Sequence, residues 1–226
     1  MCGRYTLTSP DDLVHEFGLF ELPYDLKPRY NMAPTQEAPV VLGGARRQLK
    51  LFRWGLVPAW ANDMKGAARM INARAETVHE KSSFRDAFAS RRCLVCTDGF
   101  YEWKREGKSR LPYLMRRKSK QPIAFAGIWE RYVAHDDEVV HTFAALTTDA
   151  NTMMSSIHHR MPVIVEPADY DRWLDPGITT REGLEDLLRP ADDREYEMFQ
   201  VSEKVNSVAN DSALCLRPGP DQQTLF

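Results

Sequence analysis

The residues most able to do chemistry begin at the second position, in MCGRYT. Methionine is commonly removed when the next side chain is small, so the mature chain is expected to start at Cys2 and to carry an amine and a thiol on one residue. An α-amine titrates near 8 and a thiol near 8.5, so at neutral pH part of each is nucleophilic without a large shift. Two reactions follow. The thiolate can attack a carbonyl with the free amine as base, as in N-terminal-nucleophile hydrolases. Alternatively, the amine condenses with an aldehyde to an imine, and the thiol closes on it to a thiazolidine. A small, partly buried cysteine with no chemistry is the plain alternative.

Three polar clusters sit where the sequence otherwise reads as buried strand. MINARAET places Asn72, Arg74 and Glu76 at alternating positions, which in an extended segment share one face. GFYEWKR sets Glu102 between two aromatics, where burial raises a carboxyl towards the general acid/base range. SIHHRMPVIV puts His158, His159 and Arg160 just before an apolar strand.

The stretches MCGR, RYNMAP, WGLVPAW, INARAET, DGFYEWK and HHRMPVI occur in this order and at these spacings. Together they resemble the SOS-response-associated peptidase family, from Cys2 to at least VSEKVN near residue 206. The resemblance implies a protein that recognises abasic sites in single-stranded DNA and crosslinks to them through its N-terminal cysteine. It also implies self-removal of residues preceding that cysteine; separately, an imine next to an abasic 3′ phosphate invites β-elimination, so some lyase activity is expected until closure to the thiazolidine suppresses it. The implied active-site residues fall on Cys2, Asn72, Glu102 and His158; the family's histidine, variable residue, arginine pattern leaves His159 in the variable slot. Arg4, Arg74 and Arg160 belong to the same motifs and are expected to hold phosphates flanking the lesion. Asn31 and Pro34 in RYNMAP and Trp60 in PAW are expected to guide the strand and stack bases, and Thr147 also matches a family active-site position.

The elements that must carry these residues read as a β-rich α+β single domain over 1–226, with a loose tail from about 217. The resemblance implies a barrel-like sheet core, short flanking helices and a central cleft. Strands are expected in QLKLFRWGLV, RCLVCTDGFYEWKR, PIAFAGIWERYV, EVVHTFAALTT, MPVIVE and EYEMFQVS. SPDDLVHEFGL predicts a short helix with Ser9 as N-cap, and further helices are expected near 76–90, 167–174 and 179–189.

The 226 residues include 30 basic and 32 acidic ones, a net charge of -2, so any nucleic-acid site must be a local patch. Four cysteines in so long a chain do not make a disulfide framework, and no segment has the roughly 18 apolar residues of a membrane span. A cytoplasmic protein, nucleoid-associated when on DNA, is expected. Cys93 and Cys96 form a CxxC without the further ligands of a zinc site, so neither a metal nor another cofactor is expected. Besides the abasic-site sensor, two functions stay open: an N-terminal-nucleophile hydrolase on other substrates, and a non-catalytic single-stranded DNA-binding module.

Overall fold

The protein is described by a computed structural model, covering residues 2–219. Two sheets share the chain. In the first, β1 (Tyr5–Leu7) lies between β2 (Arg29–Met32) and β7 (Gly99–Glu106), and β8 (Ser109–Arg117) and β13 (Tyr196–Gln200) complete the order β13-β8-β7-β1-β2. In the second, β10 (Val139–Asp149), β4 (Gln48–Trp54), β3 (Glu37–Leu42), β6 (Arg92–Thr97) and β9 (Ile123–Val133) pair in that order. Pairing of β9 with β10 over seven residues then closes the ring. Closure removes the unpaired edges of five apolar strands, and every residue of β6 is buried.

The barrel is narrow at Gly127 of β9, which faces Cys93 of β6. A Cβ there would stand 2.7 Å from the Cys93 sulfur and 2.8 Å from a Val95 methyl, so only glycine lets these strands close. Outside the ring, α2 (Arg85–Ser90) and α4 (Tyr170–Leu174) are tied on through buried Arg92. Its Nε donates to the Trp173 carbonyl at 2.6 Å and its Nη1 to the Phe88 carbonyl at 2.7 Å.

Aromatic side chains join the two sheets. Tyr5 packs on Trp54 with ring centroids 4.9 Å apart, and both Tyr5 and Phe100 meet Phe125 edge-on. Asp98, in the break between β6 and β7, accepts hydrogen bonds from the hydroxyls of Thr6 and Thr8 and from the amides of Thr8 and Ser9. This carboxylate pins the N-terminal segment where the sheets diverge.

The part of β10 beyond the ring positions the site. After Trp54 the chain turns at Gly55 (φ 124°), where a Cβ would meet the Ala67 carbonyl oxygen at 2.6 Å. It returns as β5 (Asn72–Arg74), which runs parallel to β10 as β4 does and extends the line β4 vacates. β11 (Arg160–Pro162) pairs antiparallel with the same end of β10, so Thr147 is matched with both Arg74 and Pro162.

Several local expectations are corrected. The helix expected at 76–90 is helical only over Arg85–Ser90, and that at 179–189 is a 3-10 turn, Glu182–Leu187. Ser9 makes no side-chain cap; its amide is one of the Asp98 donors. RCLVCTDGFYEWKR is two strands broken at Asp98, and MPVIVE divides between β11 and β12 (Ile164–Val165). The start of the expected tail is held: the Arg217 carbonyl accepts from Ser202 N–H at 2.8 Å, and Gly219 N–H donates to Gln200. Residues 220–226 of that tail, and Met1, lie outside the described residues.

Candidate active site

Four separate segments supply the site where the two sheets meet. Cys2 is separated from β1 by Gly3 and Arg4 and is fully buried. Its S–H donates to the Arg4 carbonyl at 3.6 Å, and Asn72 of β5 donates its Nδ2–H to the Cys2 carbonyl at 2.8 Å. The second bond ties the N-terminal segment of one sheet to the barrel's extension. Asn72 Oδ1 is buried without a hydrogen-bond partner among the described residues. An open acceptor therefore lies beside the main chain of Cys2.

Glu102 comes from β7, opposite Tyr113, and is 5% exposed. Burial, reinforced by the negative charge of Glu102, raises the Cys2 thiol well above its ordinary range. The near-ordinary thiol expected from the sequence is thus corrected: in the folded protein the sulfur keeps its proton. Glu102 also acts on His158, so Cys2, Glu102 and His158 lie within one electrostatic neighbourhood.

His158 immediately precedes β11. The Arg160 amide donates to its Nδ1 at 3.0 Å, with the Arg160 carbonyl 3.2 Å from the same nitrogen, and its ring stacks on His159 with centroids 4.5 Å apart. Nδ1 thus meets a donor and an acceptor of the same residue: accepting from the amide leaves the ring proton on Nε2, and donating to the carbonyl keeps it on Nδ1. Partial burial lowers the His158 pKa below its ordinary 6.5, against the opposing pull of the Glu102 charge. At neutral pH the ring is therefore uncharged.

The other expected residues divide into surface and interior. Arg74 is exposed and forms no ion pair among the described residues, Trp60 is 65% exposed, and Pro34 is half-buried after β2. Arg4 is half-buried: its Nη1 donates to Asn31 Oδ1 at 2.8 Å and to the Val205 carbonyl at 3.0 Å, and its guanidinium lies 6.0 Å from the Trp103 ring centre.

Asn31, Thr147 and Arg160 have interior side chains. Asn31 is fully buried, and its Nδ2 faces the carbonyls of Val205, Ser207 and Asn210 within 3.2 Å. It fastens the 203–210 segment and steadies Arg4. Thr147 is fully buried in β10, with its hydroxyl 3.5 Å from the Ala73 carbonyl. Arg160 is 6% exposed, and both terminal nitrogens are engaged, with Glu76, Asp149 and the Thr147 carbonyl.

A cavity of about 440 Å³ beside Cys2 is lined by Gly3, Arg4, Trp103, Arg110 and Asn206. Trp103 donates its indole N–H to Asn206 Oδ1 at 2.7 Å. Trp103, Arg110 and Asn206 were not among the residues expected from the sequence. Trp103 adjoins Glu102 within GFYEWK, and its tryptophan next to a candidate acid was the available signal. Arg110 and Asn206 carry no local signal, because only pairing of β8 with β7 and the Asn31 fastening bring them near. The cavity offers an aromatic face and two cations in one place.

A β-barrel with an appended sheet, and a buried cysteine near the N-terminus grouped with an amide, a carboxylate and an imidazole at their junction, match one known class. The profile of the family described as SOS response associated peptidase (SRAP) matches residues 1–208, and the chain belongs to that family. It is 42% identical over 218 residues to the abasic site processing protein YoaM of Bacillus subtilis, covering 94% of this chain and 96% of that one. It is 33% identical to the abasic site processing protein HMCES of Gallus gallus, over 85% of this chain and 66% of the other. A crystal structure of a Bacteroides thetaiotaomicron protein superposes with a TM-score of 0.86 at 24% identity, covering 96% of this chain and all of that one, and shares the fold.

Proposed function

We propose that this chain senses abasic sites in single-stranded DNA and captures them as a covalent thiazolidine on Cys2. The observation that carries the reading is the convergence of Cys2, Asn72, Glu102 and His158 from four distant segments on one junction. The relatives named as abasic site processing proteins supply the substrate class.

The raised thiol sets the order of events. A sulfur held protonated is a poor first nucleophile, so the amine of the mature N-terminus reacts first with the ring-opened sugar aldehyde. The amine adds to the carbonyl carbon; after proton transfers the oxygen leaves as water, giving a C=N bond. Glu102 removes the amine proton and returns one to the departing hydroxyl, and His158 donates from Nε2 to the sugar ring oxygen as the ring opens. The Asn72 Oδ1 acceptor steadies the amine N–H during this step. The sulfur then adds to the imine carbon, its proton passes to the nitrogen, and the five-membered ring closes. The same order disfavours the N-terminal-nucleophile hydrolase, which needs a thiolate from the start.

The test is incubation of the purified protein with single-stranded DNA carrying one abasic site, read as a denaturation-resistant shifted band. Cys2→Ala should abolish the stable band while retaining reversible binding. Glu102→Gln should slow single-turnover crosslinking by about 10²–10⁴-fold with little change in affinity. Absence of the band from the native protein, or a native rate in Glu102→Gln, overturns the assignment.

A further inference from the structure

Arg160 reaches the site through its main chain, while its side chain is committed elsewhere. The guanidinium meets Glu76 as a two-pronged pair, Nη1 to Oε1 at 2.7 Å and Nη2 to Oε2 at 2.8 Å. Nη1 also meets Asp149 Oδ1 at 2.9 Å, and Nη2 donates to the Thr147 carbonyl at 2.6 Å. Glu76 follows β5, Asp149 ends β10 and Arg160 begins β11, so this cluster locks together the same ends of three strands. The locked residue is the one whose amide and carbonyl both meet His158 Nδ1, at 3.0 and 3.2 Å.

We propose that Glu76 is a positioning residue for His158: by clamping the Arg160 guanidinium it fixes the start of β11, so that the Arg160 amide meets Nδ1 and the ring offers its proton from Nε2. Glu76 carries this duty more than Asp149 does. Its contact is bidentate, which fixes both distance and plane, whereas Asp149 touches one nitrogen and its side chain is 82% exposed. The carboxylate of Glu76 remains charged through the working range. Burial opposes ionisation, but the hydrogen bond from Arg160, the Glu76 backbone hydrogen bond and the charges of Arg160 and Arg74 together outweigh it and lower the pKa. Glu76→Gln keeps the shape of the side chain yet turns an amide N–H towards a guanidinium N–H, so the clamp loses its charge and one of its prongs. The inference rests on the acid role assigned to His158 above and adds the residue that sets its tautomer.

The experiment pairs side-chain ¹⁵N NMR of the histidines with single-turnover crosslinking to single-stranded abasic DNA. The native protein should show His158 as the Nε2–H tautomer, and Glu76→Gln should show a mixture. The saturated rate should fall about tenfold in Glu76→Gln, as positioning partners of reactive groups commonly do, with DNA affinity unchanged. In a His158→Ala background the same substitution should have no further effect on rate. Three results would overturn the proposal: an Nδ1–H tautomer in native His158, an undiminished rate in Glu76→Gln, or a full loss that persists without His158. Tighter DNA binding at a native saturated rate would also overturn it, making Glu76 a competitor of phosphate for Arg160. Failure of the native protein to crosslink would refute the function assigned above, while the tautomer comparison would still decide the positioning role.

Discussion

Replacing Asn31 by alanine separates a residue that touches DNA from one that builds the surface DNA meets. In the structure Asn31 is fully buried, with two amide protons shared among three carbonyls and an Oδ1 that receives Arg4. Two neutral bonds at about 1 kcal/mol each, and a charged one discounted because Arg4 keeps the Val205 carbonyl, amount to about 3–4 kcal/mol. The Asp211 carboxylate still accepts from the backbone amides of residues 30 and 31, so the strand itself stays in place. With a urea m-value of about 3 kcal/mol/M, the unfolding midpoint should fall by ~1 M at unchanged slope. Affinity for single-stranded DNA should drop only severalfold, through a loosened Arg4. The assay is urea unfolding followed by fluorescence, beside equilibrium binding at fixed salt. An unchanged midpoint with a tenfold or greater loss of affinity would refute the reasoning and make Asn31 a direct DNA ligand.

Gly127→Ala forces a methyl onto Cys93 and Val95; overpacking of about 1–3 kcal/mol should lower Tm by roughly 3–10 °C in a thermal melt. Native Cys2 should resist iodoacetamide at pH values near 8.5, where a free thiol is half ionised, while the denatured chain reacts readily. The sign for stability follows: Cys2, Cys93 and Cys96 all have raised thiol pKa values when folded, so their contribution is full below the unfolded value and is lost as pH climbs past about 8.5. Denaturant midpoints measured from pH 7 to 10 should therefore decline, and a flat profile would contradict the burial of these thiols. Arg74→Ala should reduce the salt slope of DNA binding by about one ion, as loss of a phosphate contact requires.

The grouping of the candidate site was legible in the sequence where a polar or thiol side chain sat in an unfavourable place: a cysteine at position two, a carboxylate between aromatics, an asparagine alternating with charges. The six apolar segments were legible as strand for the same reason, since β-branched and aromatic runs announce burial, although their internal breaks at Asp98 and Val163 were not. The missed strands break that pattern. β3 contains Pro39, β8 contains Pro112 and charged ends, and β1 and β2 are only 3 and 4 residues long. Their pairing depends on partners far along the chain. The interior fates of Asn31, Thr147 and Arg160 were hidden because a polar side chain reads alike whether it faces a phosphate or a buried carbonyl. What distinguishes them is the strand lying opposite, which only the folded topology supplies.

The placement of Cys2 has a consequence for synthesis. It precedes a strand flanked on one side by β2 and on the other by β7, which ends at Glu106. On the ribosome, at roughly 5–20 residues per second, β7 is complete only after about 5–20 s, and until then Cys2 has neither its neighbouring strand nor Glu102. Asn72 emerges before Glu102, His158 after it, and the segment fastened by Asn31 later still. Until then Cys2 lies in a solvated segment, without the burial that raises its thiol in the folded protein. Burial of that thiol is therefore completed in the order of translation, by strands made well after the residue they enclose.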